Sequence, residues 1–352
     1  MSMCCSMVST RCAPARNRFR PAPSPTSSAT RRARCTSGCS TTAPNSAEPK
    51  QDPLNSAVGG ITLSDRPFRF GIGLSADASM SDWQHQARAA EDLGYDVIMV
   101  SDHLGMAAPF PALTALAAVT TRPRLGTFVL NTGFYKPALL ARDVSSTDLP
   151  TGGRLELGLG TGWAQDEFAD AELPFPPAGQ RIAHVERTIT ELRRRFATGN
   201  PPVLQQPAPP ILVACRGDRL LAMAAANADI ISLAGVDVTE RPVTEEAVER
   251  ALADRIEFIR AAAGRPIEQL ELGLTIMTVH LDGKGMPDLT TQRMFAPGLS
   301  DDELLALPGV LHGSPDDIAG TLECYRRKYH LTHFVVPATA MADFAEVIDR
   351  LR

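Results

Sequence analysis

The stretch AAEDLGYDVIMVSDHL, residues 89–104, decides the fold. Its first half reads as a helix end closed by Leu93-Gly94, where glycine takes the left-handed conformation that stops helices. Residues 97–100 follow as a short apolar run with no polar alternation, the mark of a strand covered on both faces. Ser101, Asp102 and His103 come next without a spacer, so three polar side chains crown the carboxyl end of a buried parallel strand. That edge is where parallel α/β architectures do chemistry. Helix, glycine stop, buried strand and polar tip make one unit, and the chain repeats it.

Outward from this unit, strands are expected at 68–74, 125–130, 155–159, 210–214, 229–233, 272–279 and 333–336. Between them lie apolar stripes at helical spacing, clearest in Ile182, Val185, Ile189, Leu192 and Phe196. Another helix opens at Ser314-Pro315-Asp316-Asp317, with a cap serine, a first-turn proline and two acids at the positive end. A proline-bearing loop is expected over 164–180, and a polar loop with its own short helix over 282–307. Eight strands, each paired with a helix, predict a (β/α)8 TIM barrel with insertion segments over 61–352. A doubly wound sheet competes, but Gly71-Ile72-Gly73 lies inside its strand and lacks the following glycine of a dinucleotide turn.

Residues 1–60 are rich in Ser, Thr, Pro, Ala and Arg and nearly lack periodic apolar positions, so a disordered leader or a misplaced translation start is expected there. Up to Lys50 the chain carries eight Lys/Arg against the single acid Glu48, or +7. The overall charge of −5 therefore leaves −12 on the remainder, which argues against a broad nucleic-acid surface. No apolar run is long enough to span a bilayer. Five of the seven cysteines fall before residue 40, leaving Cys215 and Cys324 in the body. That pattern predicts neither a disulfide scaffold nor a metal site, and fits a reducing, cytoplasmic setting.

Polar residues just after strands are the candidates for chemistry. His103 ranks first, with Asp102 beside it able to hold one tautomer; the bland alternative is a packed or solvated histidine. Phe128-Val129-Leu130-Asn131 ends a strand, either as an ordinary exit or as a wall and a polar contact for a flat ligand. Gly158, Gly160 and Gly162 serve a tight strand exit or the close approach of a ligand to backbone. Ala214-Cys215-Arg216-Gly217 joins strand to helix directly, as an ordinary loop or as an anion cradle at a helix amino end. Cys215 is expected to be a packed residue and not a nucleophile. Trp163 either packs or lines a substrate pocket, and His280, at the end of the 272–279 strand, is a secondary pocket candidate.

Four segments carry a resemblance: 90–104, GTFVLNTGFYKPALLARDVSSTDLPTGGRLELGLGTGW (126–163), FADAELPFPPAGQRIAHVE (168–186) and GSPDDIAGTLECYRRKYHLTHFVV (313–336). In this order the chain resembles the bacterial-luciferase-like superfamily from about Arg66 to its end, and more narrowly the deazaflavin oxidoreductases that use coenzyme F420. The resemblance implies a (β/α)8 barrel, a homodimer, a small-molecule substrate and a tricyclic ring at the carboxyl face. It also implies His103 as acid/base and Asp102 as its orienter or a ring contact. A non-proline cis peptide at Phe128-Val129 would form a bulge behind the ring, Asn131 would touch the ring, and Ala214, Cys215, Arg216 and Gly217 would take the phosphate. Two departures matter. Trp163 stands where the sugar-phosphate dehydrogenases of the group have an acid, and Ala234-Gly235-Val236-Asp237 lacks their lysine. A less charged organic substrate is therefore expected. Reduced FMN with O₂, giving a monooxygenase, is the alternative on the same fold, and a non-enzymatic flavin-binding barrel is a third reading.

Overall fold

The computed structural model describes residues 66–74 and 79–352; the expected leader over 1–60 lies outside them. The strands are β1 (Arg69–Gly73), β2 (Val97–Val100), β3 (Arg124–Thr127), β4 (Leu130–Asn131), β5 (Leu155–Gly160), β6 (Ile211–Cys215), β7 (Ile230–Leu233), β8 (Glu271–Thr275), β9 (Thr278–Leu281), β10 (Val310–Gly313) and β11 (Leu331–Pro337). All pairings are parallel, in the order β3-β2-β1-β11-β8-β7-β6-β5-β4, and a β3–β5 pairing closes the ring. β3 and β4 are two halves of one barrel strand, interrupted at Phe128-Val129. The result is an eight-stranded (β/α)8 barrel, as the sequence predicts.

The helices are α1 (Met80–Asp92), α2 (Pro109–Ala117), α3 (Pro137–Asp148), α4 (Gln165–Asp170), α5 (Ala178–Ala197), α6 (Asp218–Asn227), α7 (Glu245–Ala262), α8 (Thr290–Phe295), α9 (Asp301–Leu305), α10 (Pro315–Tyr329) and α11 (Met341–Leu351). Among the described residues no helix is long and apolar enough to cross a membrane. The cap expected at Ser314 is present as a reciprocal capping box with Asp317. The expected 164–180 loop needs correction, because it contains α4, anchored by buried Phe168. The expected 272–279 strand also divides. Ile276 N–H still donates to Val335 of β11, but Met277 N–H donates to Gly309, so the apolar run changes partner and continues as β9 against β10. The 282–307 insertion holds two short helices, not one.

Side chains inside the barrel form three levels. At the amino ends, Arg69 and Arg124 pair with Glu156, and Arg69 also with Glu271. Above them Val97, Met99, Leu212, Ile230 and Val335 make a separate apolar cluster. Phe128, Val129 and Ala214 pack on that cluster from the mouth side and stay partly exposed. The main core lies outside the sheet, between strands and helices, and includes the aromatic group Phe70, Phe334 and Phe344.

Candidate active site

The mouth of the barrel gathers most of the candidate residues. β2 ends at Val100, and the chain turns so that His103 Nδ1 lies 2.7 Å from Glu167 Oε1. Glu167 belongs to the first turn of α4, whose orientation is fixed by buried Phe168 one residue on. The carboxylate that holds the imidazole is therefore Glu167, and the expectation that Asp102 does so is corrected. Among the described residues no hydrogen bond joins Asp102 to His103. Asp102 instead accepts the Asn131 N–H at 3.0 Å and a hydrogen bond from the Tyr135 hydroxyl. Burial pushes its carboxyl above the usual range, against those two donors. Burial also raises the Tyr135 phenol, with Asp102 adding to the effect. Asp102 thus pins the chain immediately after the β3–β4 interruption.

That interruption contains a cis peptide between Phe128 and Val129, as the resemblance implies. The three glycines of β5 and its exit answer to it. A β-carbon at Gly158 would run into the Thr127 carbonyl, one at Gly160 into the Val129 side chain, and one at Gly162 into the Asn131 amide. The close approach that these glycines permit is first that of the chain's own bulge. Trp163 follows, 66% exposed and edge-on to His103 with ring centroids 6.1 Å apart, so it stands over the mouth and is not packed.

At the end of β6, Cys215 is fully buried and its thiol is pushed up to about 12 by burial alone, so it is a packing residue. Gly217 caps α6 with no side-chain hydrogen bond at the helix end, and nothing stands within 4 Å of where its β-carbon would be. This leaves the first-turn N–H groups without a side-chain acceptor, the arrangement an anion requires. Arg216 turns away to pair with Asp237 at 2.6 Å. His280 is corrected: it sits in β9 opposite His312 and lines neither of the mouth cavities.

Two cavities flank the mouth. One of about 490 Å³ lies over the ends of β6, β7 and β8, with Val236, Met277, Phe295, Leu299 and Leu307 in its wall. Most of its polar groups are engaged already: Arg216 with Asp237, Arg241 with the carbonyls of Val238 and Glu240, and the Gln292 amide N–H with Thr278, while among the described residues the buried Gln292 Oε1 has no partner. The second, of about 380 Å³, lies beside β4 and β5 under the start of α5. Sequence reasoning missed Glu167, Tyr135 and His184. His184 bonds the carbonyls of Thr132 and Tyr135 at 2.9 and 3.2 Å and so ties α5 to this loop. The signal for Glu167 is an acid five residues beyond the last glycine of a strand-exit loop, farther from the strand end than the polar residues that directly follow it.

The profile of the luciferase-like monooxygenase family matches residues 66–283, more than half of the chain. The chain belongs to that family. A curated relative, the F420-dependent glucose-6-phosphate dehydrogenase of Kribbella flavida, is 37% identical over 135 residues, 35% of this chain and 40% of that enzyme. The chain thus matches about 40% of the length of such curated relatives. Among solved structures, the F420-dependent tetrahydromethanopterin reductase of Methanopyrus kandleri superposes with a TM-score of 0.63 at 18% identity, over 82% of this chain and all of that one. The monooxygenase RslO1 of Streptomyces bottropensis gives 0.62 at 21%, over 80% and 99%. These structures share the barrel described above.

Proposed function

We propose that this luciferase-like protein is an oxidoreductase that passes a hydride between coenzyme F420 and a small, largely apolar organic substrate. The observation that carries the reading is the His103–Glu167 pair standing beside the Phe128-Val129 bulge. The names of relatives such as the Kribbella flavida enzyme support F420 as the cofactor.

The residues at the mouth fit that group. Phe128, Val129 and Ala214 offer an apolar floor that a flat ring can cover. Asn131, held by Asp102, and the backbone of Gly160 and Gly162 border it. The open, uncapped start of α6 at Gly217 would take the phosphate. When bound, the deazaflavin supplies the hydride at its C5. His103 gives up or takes the accompanying proton: with Nδ1 facing Glu167, the imidazole keeps one orientation and leaves Nε2 for the substrate. Trp163 and the cavity over β6–β8 keep water from the acceptor, and with Arg216 already paired to Asp237 and Arg241 tied to two carbonyls the cavity offers a sugar phosphate no converging cluster of cations. We also take the protein to be a homodimer, as the family resemblance implies; sedimentation at micromolar concentration checks it.

His103→Ala is expected to lower turnover by about 10²–10⁴ while F420 affinity stays near that of the parent protein. Unchanged turnover would remove His103 from the reaction. The competing reading, reduced FMN with O₂, draws on the monooxygenases that share this barrel, RslO1 among them. A titration of the purified protein with F420 and with FMN separates the two, since tight FMN binding without F420 binding reverses the assignment.

A further inference from the structure

The 380 Å³ cavity beside β4 and β5 is lined by Lys136, Arg181, His184 and Arg187 and by no acid. Among the described residues none of the three permanent cations reaches a carboxylate. Arg181 donates to the Pro176 carbonyl and lies 4.0 Å from the centre of the Phe175 ring. Arg187 donates to His184 Nδ1, whose other nitrogen is taken by the Thr132 and Tyr135 carbonyls. Among the described residues Lys136, at the cap of α3, makes no side-chain hydrogen bond or ion pair.

This is not how the same helix treats its other arginines. In the second half of α5, Arg193 pairs with Asp229, and Arg194 and Arg195 with Glu191. Those at the cavity are left without an anion. Arg181 also stands in the first turn of the helix, where the positive end of the backbone dipole disfavours a cation. Like charges converging on one concavity repel, and no carboxylate in its lining offsets that. Next to this site, Arg219 in the first turn of α6 lies against Gly179 at the start of α5. The proposed phosphate turn at Gly217 and the cavity are therefore neighbours across one arginine.

We propose that this cavity is a binding site for a chain of carboxylates. The source that fits its position is the oligoglutamate tail of the cofactor, leaving the phosphate turn and passing Arg219 to reach Lys136 and Arg187. That assignment rests on the F420 reading; the site itself does not, since a separate oligocarboxylate would meet the same cations.

The test compares the protein with its Lys136→Gln/Arg187→Gln double variant against three probes. F420 with its tail and the deazaflavin ribityl compound lacking phosphate and tail are followed by fluorescence titration. Free γ-linked tetraglutamate is followed by thermal shift. The expected result is F420 affinity about 10–100-fold weaker in the variant, since losing the two solvent-screened charged contacts together costs that order, with binding of the tail-less compound unchanged. Loss of the tetraglutamate shift with no change for F420 supports the site and assigns it to a separate anion. No difference between the proteins with either anion overturns the site. If the parent protein binds neither deazaflavin, the cofactor reading fails, and the tetraglutamate arm still decides the cavity.

Discussion

A single carboxylate separates what His103 can do from what an arbitrary exposed histidine does. Glu167 is mostly covered, and its 2.7 Å contact with Nδ1 selects the tautomer. Removing the acceptor lets the ring turn. Glu167→Leu is expected to lower turnover by on the order of 10²-fold, the cost of misplacing a reacting group by about an ångström. Glu167→Gln, whose amide oxygen still accepts the Nδ1 proton, is expected to recover most of the loss, and cofactor affinity moves in neither variant. Steady-state rates beside a binding titration check it; equal loss in the two variants would mean that charge, not orientation, is what Glu167 contributes. Asp102 does different work, holding the backbone at Asn131 and the Tyr135 hydroxyl. A neighbour in sequence was the wrong guide here. Residues 102 and 103 follow a strand end where successive side chains diverge, and the partner of each comes from another loop.

Among the elements, the strands of the barrel were legible because a buried parallel strand is a continuous apolar run, and β2 occupies the four residues that its sequence marks. What was not legible is where one run serves two partners. Residues 272–279 look uniform, yet hydrogen bonding passes from β11 to β10 between Ile276 and Met277. The glycines of β5 carry the opposite lesson, since their spacing was visible but their cause was not. Gly158 has no room for a methyl group because backbone, the Thr127 carbonyl, occupies the place. Gly158→Ala is therefore expected to destabilise the fold by about 3 kcal/mol, the upper end for overpacking, because a carbonyl in a paired strand cannot step aside as a side chain can. Gly217 has open space and an ordinary φ of −79°. Gly217→Ala should cost only about 1 kcal/mol, the loss of a favourable cap residue, while weakening F420 by crowding the helix end. Urea unfolding of both variants makes the comparison, and similar losses would contradict the bulge as the reason for Gly158.

For the molecule as a whole, the two ends of the barrel are specialised. The mouth is apolar with a few held polar groups, whereas the amino end encloses two arginines and two glutamates in mutual pairs. His333 stands on β11 within this neutral layer, opposite Arg69 and Gly273 in the strand register, fully buried and with neither ring nitrogen hydrogen-bonded. Burial holds its imidazole below the ordinary value of 6.5, Arg69 adding to the effect and Glu271 and Glu156 opposing it. The unfolded chain, by contrast, takes up a proton at this histidine near the ordinary value. Between the two values it binds more protons than the folded protein, so stability present above about pH 6.5 falls as pH drops and levels off only when the buried ring is protonated too. His333→Leu removes this dependence and leaves the Arg–Glu pairs in place. Its stability relative to the parent should rise steadily from about pH 7 to about pH 5. Taking the difference cancels every other titrating group, His330 included, whose burial also lowers it. Unfolding midpoints in urea across that range measure the gap directly. A gap that stays constant with pH would mean that the layer already accommodates a charged His333, and that its neutrality is not what the bottom of the barrel requires.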